Sequence, residues 1–143
     1  MKLTEHFQLD EFTRSSTATG CGIDNSPQEA HIANLKTLCE QVLEPLRLNF
    51  GVPIIISSGY RCPKLNSAVG GVINSQHTKG EAADLRIPNL TTGRQWMRWI
   101  IDNLAFDQCI MEHSKNNDGT TSHWIHVSYC RQYNRQSVIS NLW

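Results

Sequence analysis

No run of apolar residues in this chain approaches the length of a bilayer span, so membrane insertion is not expected. Neither sign of charge prevails. Thirteen Lys and Arg face thirteen Asp and Glu, and nothing draws the molecule toward nucleic acid or an anionic surface. Cys21, Cys39, Cys62, Cys109 and Cys130 are odd in number and contain no C-x-x-C, which argues against a disulfide framework and a thiolate metal knuckle. Most of them are expected to serve as small buried hydrophobes. The opening Met1-Lys2-Leu3-Thr4-Glu5-His6 has no apolar export-signal core, so the expectation is a protein cytoplasmic as synthesised. Repeats, low-complexity tracts and linkers are missing too. With 39% hydrophobic and 18% charged residues in 143, the expectation is one domain over residues 1–143. A monomer is expected, although nothing in the sequence sets the oligomeric state.

What is present reads as alternating helix and strand. Ser26-Pro27-Gln28-Glu29 has the form of a helix start, with Ser26 as N-cap, proline next and Glu29 closing a capping box. Ile32, Leu35, Leu38, Cys39, Val42, Leu43 and Leu46 follow at three- and four-residue spacing, and Pro45 is expected to kink that helix before Gly51. Val52-Pro53-Ile54-Ile55-Ile56-Ser57 is β-branched and short, which predicts a central strand. Pro63 opens a short helix that stops near Gly70-Gly71, and a strand follows from about Ala83 to Ile87. Thr92-Gly93-Arg94-Gln95 predicts a further helix start, with Trp96, Trp99, Ile100 and Leu104 facing inward. Residues 106–113 and 123–130 flank a polar, glycine-containing stretch and predict a hairpin with His113 opposite His123. In that register Glu112 faces Trp124 and lies diagonal to His126, within reach of a long carboxylate.

The chemistry-bearing residues concentrate in a few segments. Ser75-Gln76-His77-Thr78-Lys79-Gly80-Glu81-Ala82-Ala83-Asp84 holds a histidine and an aspartate 7 residues apart, and Trp124-Ile125-His126-Val127-Ser128 adds a histidine 42 residues after Asp84. Imidazole nitrogen and carboxylate oxygen are zinc donors, and a catalytic zinc site uses three protein ligands. His77, Asp84 and His126 satisfy that count. Gly80 and the small pair Ala82 and Ala83 allow a tight turn and close packing between the first two.

The first segment resembles the S-x-H-x-x-G-x-A-x-D signature of the M15 peptidases, the zinc D-Ala-D-Ala carboxypeptidases and their kin. Ser57-Ser58-Gly59-Tyr60-Arg61, Asp107-Gln108-Cys109-Ile110-Met111-Glu112 and the W-x-H-x-S around His126 are similar to further motifs of that family. The stretch from His6-Phe7 to Leu43-Glu44-Pro45-Leu46-Arg47 resembles its small single-domain branch. The resemblance implies an α+β domain of the Hedgehog/DD-peptidase fold, an antiparallel sheet with helices packed on one side. It also implies Zn²⁺ as cofactor, held by His77, Asp84 and His126, and a peptidoglycan stem peptide or another D-Ala-containing peptide as substrate.

Further roles follow from it. Arg61 resembles the family arginine that meets the substrate carboxylate or the developing oxyanion, which a planar guanidinium can grip through two oxygens. Glu112 is the candidate general base. In several relatives the acid lies three residues before the last histidine ligand, where this chain has His123, so His123 stands as the alternative proton-transfer group or an oxyanion stabiliser. Ser75 and Gln76 are candidates for binding the substrate backbone or for holding the His77 loop. Tyr60 and Trp124 are candidate cleft walls or core residues, and Asp107 a partner behind a ligand histidine. The implied activity is a carboxypeptidase or endopeptidase, in a phage or prophage lysis enzyme (an endolysin) or a cytosolic dipeptidase. The alternative is a zinc-stabilised, non-catalytic binding module of the Hedgehog type.

Overall fold

The computed structural model describes residues 1–140; the last three residues of the expected domain, 141–143, lie outside the described residues. The chain begins with a small ribbon, β1 (Lys2–Thr4) and β2 (Phe7–Gln8), followed by α1 (Leu9–Thr13) and α2 (Ser16–Cys21). A long helical stretch comes next: α3 (Glu29–Leu38), a π-turn (Cys39–Leu43) and α4 (Glu44–Phe50). Then follow β3 (Ile56–Ser58), α5 (Pro63–Ala68), a 3₁₀ turn (Gln76–Lys79), β4 (Ala82–Arg86), α6 (Leu90–Asn103), β5 (Gln108–Lys115), β6 (Thr121–Ser128) and β7 (Ser137–Ile139).

The main sheet has the order β3-β4-β6-β5-β7. The α+β architecture is as expected, but the sheet is mixed rather than purely antiparallel, because β7 pairs parallel to β5. The chain leaving β6 turns around the start of β5, where Gln136 N–H donates to Phe106 O and Ser137 N–H to Asp107 O. It then runs up the far side of β5, so no crossover over a sheet face is needed, and the third strand covers an edge that would otherwise be open.

Alternation along the strands divides the sheet into two faces. Ala83, Leu85, Cys109, Met111, Ile125 and Val127 enter the core with Leu35, Leu38 and Leu46 of the long helical stretch and Trp96, Met97 and Ile100 of α6. Residues one step out of phase, among them Asp84, His126, Trp124 and Glu112, occupy the opposite face.

Three local expectations are corrected. The first long helix starts at Glu29, two residues after Pro27, because Ser26 spends its hydroxyl on Asp24 while His31 Nδ1 accepts from Gln28 N–H. Helix α6 starts at Leu90, capped by Asn89, whose side chain accepts from Thr92 N–H. The isoleucine run yields an edge strand, not a central one, and only from Ile56. Pro53 lacks a ladder donor, and Ile55 is exposed while Ile54 and Ile56 are buried. Pro45 disturbs its helix as expected, and the form is specific: Glu44 N–H reaches back to Cys39 O, widening one turn where Pro45 offers no donor.

All five cysteines are free. Cys39 and Cys109 are buried in the core, Cys62 and Cys130 are half-buried and Cys21 is exposed, so the buried-hydrophobe expectation holds for two.

Candidate functional site

His77 sits on the 3₁₀ turn, and neighbouring elements fix that turn from several sides. Ser75 Oγ accepts from His77 N–H at 3.2 Å, and Thr78 Oγ1 donates to Ser75 O at 2.6 Å. Gly80 closes the turn at φ 74°, and a Cβ there would stand 2.6 Å from the His31 carbonyl oxygen of α3, so glycine is required both for the angle and for the approach. The Gly59-Tyr60-Arg61 segment clamps the turn: Arg61 N–H donates to His77 O at 3.0 Å, and Gly59 O lies 2.7 Å from His77 Nδ1. Asn25, buried, holds that segment in turn through Tyr60 O and Cys62 N–H. Asp84 on β4 and His126 on β6 are direct register partners. Both are offered from a sheet, and the His77 turn is lowered onto them.

The donor atoms converge. Asp84 Oδ1 lies 3.3 Å from His77 Nε2 and 3.1 Å from His126 Nδ1, and the three ligand atoms lie within 4.8 Å of one another. A carbonyl oxygen can only accept, so the contact with Gly59 O puts the proton on His77 Nδ1 and leaves Nε2 a lone pair. That lone pair faces a carboxylate oxygen. Two electron-rich atoms in this arrangement repel unless a cation lies among them or the imidazole is protonated. Burial alone would raise the Asp84 carboxyl, but where the two imidazoles are protonated, hydrogen bonds from His126 and His77 outweigh it and hold the group well below the ordinary carboxylate range. A buried, anionic oxygen between two imidazoles fits zinc in donor type and number.

These residues form the floor of a cleft of about 530 Å³ whose walls include Arg61, Glu112, Trp124 and Arg135. The hairpin has the register read from the sequence, with Glu112 opposite Trp124 and Ile110 opposite His126, so Glu112 and His126 share the cleft face. Burial lowers the Arg61 guanidinium from its ordinary value while the Asp84 charge opposes that; its Nη2 lies 3.4 Å from Ser75 Oγ, and its buried Nε has no protein partner.

Of the remaining candidates, Ser75 and Gln76 line the cleft and His123 and Tyr60 do not. His123 is not brought into the cleft. It alternates with His126 and shares the face of Ile125 and Val127, with its ring 6.4 Å from that of His113. Tyr60 is a core residue, 4% exposed and stacked on His31. Ser75 is occupied within the protein by the His77 turn. Gln76 Nε2 donates to Asp107 Oδ2 at 2.5 Å, and its Oε1 lies 3.3 Å from His126 Nε2. The sequence reading missed Arg135, whose Nε and Nη2 grip the two Asp107 oxygens at 2.9 and 2.7 Å. It also missed the Val69–Asn74 wall of the cleft. Arg135 carries no local signal in its polar surroundings; only the parallel pairing of β7 brings it here.

The family described as Peptidase M15 matches residues 5–128, a span that contains the three donors and both strands of the hairpin. A search of curated proteins finds no match to the chain.

Proposed function

We propose that this chain, which belongs to the M15 peptidases, hydrolyses a peptide bond in the stem peptides of peptidoglycan, as a D-Ala-D-Ala carboxypeptidase or a related endopeptidase. Membership makes it a zinc metallopeptidase by family, and the clustered donors are consistent with that metal. The observation that carries the reading is the convergence of His77 Nε2, Asp84 Oδ1 and His126 Nδ1 at the floor of an open cleft with a free carboxylate, Glu112, in its wall.

His77, Asp84 and His126 would hold zinc, which would supply a Lewis acid for the scissile carbonyl and lower the pKa of water toward about 7. Glu112 takes the proton from the attacking water and returns it to the leaving amine nitrogen as the amide C–N bond breaks. Arg61, with an unpartnered Nε and a loosely held Nη2, binds the substrate carboxylate or the oxyanion that forms at the carbonyl. Trp124 offers an apolar wall to the peptide. A carboxylate on the cleft face favours an enzyme over a zinc-stabilised binding module.

A phage or prophage lysis enzyme that reaches the wall through a membrane lesion is the setting proposed. Mass spectrometry of purified muropeptides incubated with zinc-loaded protein tests the reading. A new amine and carboxyl terminus within the stem is expected, and it should vanish with a chelator. Intact stems at full zinc occupancy would overturn it.

A further inference from the structure

The residues behind His126 form a directed chain that the metal chemistry alone does not explain. Asp107 is buried, and Arg135 meets it with a backbone N–H at 3.0 Å besides the two guanidinium contacts. With Arg135 donating to both oxygens, Asp107 is a carboxylate and can only accept. The side-chain amide of Gln76 must therefore turn its nitrogen to Asp107, which it does at 2.5 Å, and its oxygen points the other way, toward His126 Nε2 at 3.3 Å. An amide oxygen can only accept. Asp84 Oδ1, 3.1 Å from Nδ1, is an acceptor as well; with a cation among the three donors, Nδ1 carries the lone pair and the ring proton of His126 belongs on Nε2, where Gln76 accepts it.

We propose that Gln76, Asp107 and Arg135 are positioning residues for His126, fixing its ring orientation and tautomer through a one-way series of hydrogen bonds. Arg135 lies beyond residue 128, where the family match ends, so the segment leading into β7 completes the site built by the matched residues. Each member has one job. Arg135 fixes the charge state and place of Asp107, Asp107 fixes the sense of the Gln76 amide, and Gln76 selects the nitrogen of His126 that stays free. His77 obtains the same selection from a single backbone carbonyl, Gly59 O. The sheet offers no such carbonyl to His126, and a side-chain amide takes its place.

The inference rests on the metallopeptidase reading only in taking the triad as the metal site, and its test uses no peptide substrate. Nitrogen-15 correlation spectra of the zinc-loaded protein should show His126 protonated on Nε2 with that proton slow to exchange with water, and Gln76→Ala should make the exchange fast. Zinc affinity, read by competition with a chelator, should fall about 10- to 100-fold in Gln76→Ala, with the urea midpoint of the metal-free protein unchanged. Arg135→Met should weaken zinc less, and the Gln76→Ala/Arg135→Met double variant should bind it no more weakly than Gln76→Ala alone, since the two act through one path. A wild-type His126 protonated on Nδ1, or additive losses in the double variant, would overturn the chain. Failure to cleave muropeptides would leave it standing.

Discussion

Two pairs of histidines meet on the same hairpin strand, and they differ in everything except proximity. The rings of His77 and His126 lie 5.2 Å apart, and those of His113 and His123 lie 6.4 Å apart. In the inner pair both rings are buried, each has one nitrogen set against a fixed acceptor, and a carboxylate stands between the other two nitrogens. The outer pair lies toward the turn of the hairpin, with His113 exposed and His123 half-buried. Among the described residues the inner cluster is the one group of three donors close enough to share an ion. Nearness of imidazoles is therefore a weak criterion for a metal site. Commitment of the second nitrogen and a third donor are what separate the pairs.

The largest effect that would sharpen the contrast is removal of an inner ring. His126→Ala should lose stoichiometric zinc by elemental analysis and all activity above background. In saturating zinc it should melt about 10 °C below wild type, because it forgoes the stabilisation that binding confers on the folded state. Full zinc in that variant would break the comparison outright. Next in size is Glu112→Gln, which keeps shape and zinc but should lower turnover about 10² to 10⁴ fold in a muropeptide assay. Arg61→Lys keeps the charge and gives up the planar fork, and a fall in kcat/KM of about tenfold with zinc content unchanged is expected. The smallest effects belong to the outer pair. His123→Ala and His113→Ala should leave zinc content intact and activity within about twofold, as for surface changes remote from the site. A loss of turnover in His123→Ala larger than in Glu112→Gln would reverse the roles given to the two residues.

Asp107 separates the regions by pH as well. Hydrogen bonds from Arg135, with opposition from burial, hold its carboxyl at about 2, below the ordinary 3.8. A group whose pKa is lowered by folding stabilises the folded state above its unfolded value and loses that contribution as pH falls through the folded one. Asp107 should therefore contribute about 2 kcal/mol near neutrality, fading between about pH 4 and 2. Urea midpoints of metal-free wild type and Asp107→Asn should converge across that window.

The parts of the molecule legible in advance are those whose specification is local. The β5–β6 register follows from a symmetric polar turn between two apolar stretches, and it placed Glu112 beside Trp124 without any distant contact. Helix starts were less legible, since Ser26 and Thr92 both have the chemistry of caps, yet Ser26 spends its hydroxyl on Asp24 and Asn89 takes the cap before Leu90. The isoleucine run misled through composition, although Pro53 already carried the sign of an edge strand. β7 and Arg135 were invisible. Their place depends on Gln136 and Ser137 meeting backbone groups some thirty residues earlier, which no periodicity in a polar tail announces. The ligand set was readable from spacing and resemblance, whereas the Gln76 to Asp107 contact joins residues 31 apart and emerges only from the fold.

The free cysteines give the molecule an internal clock. Cys39 lies in the π-turn of the helical layer and Cys109 in β5, and burial pushes the Cys109 thiol up to about 12. A thiolate-seeking reagent meets Cys21 at once but reaches the other two only when their layer opens. Labelling rates at the two buried positions, followed with and without zinc, would thus time the opening of the helical layer and of the sheet separately. They would reveal whether the metal fastens the sheet that carries Asp84 and His126 more than the helices packed behind it.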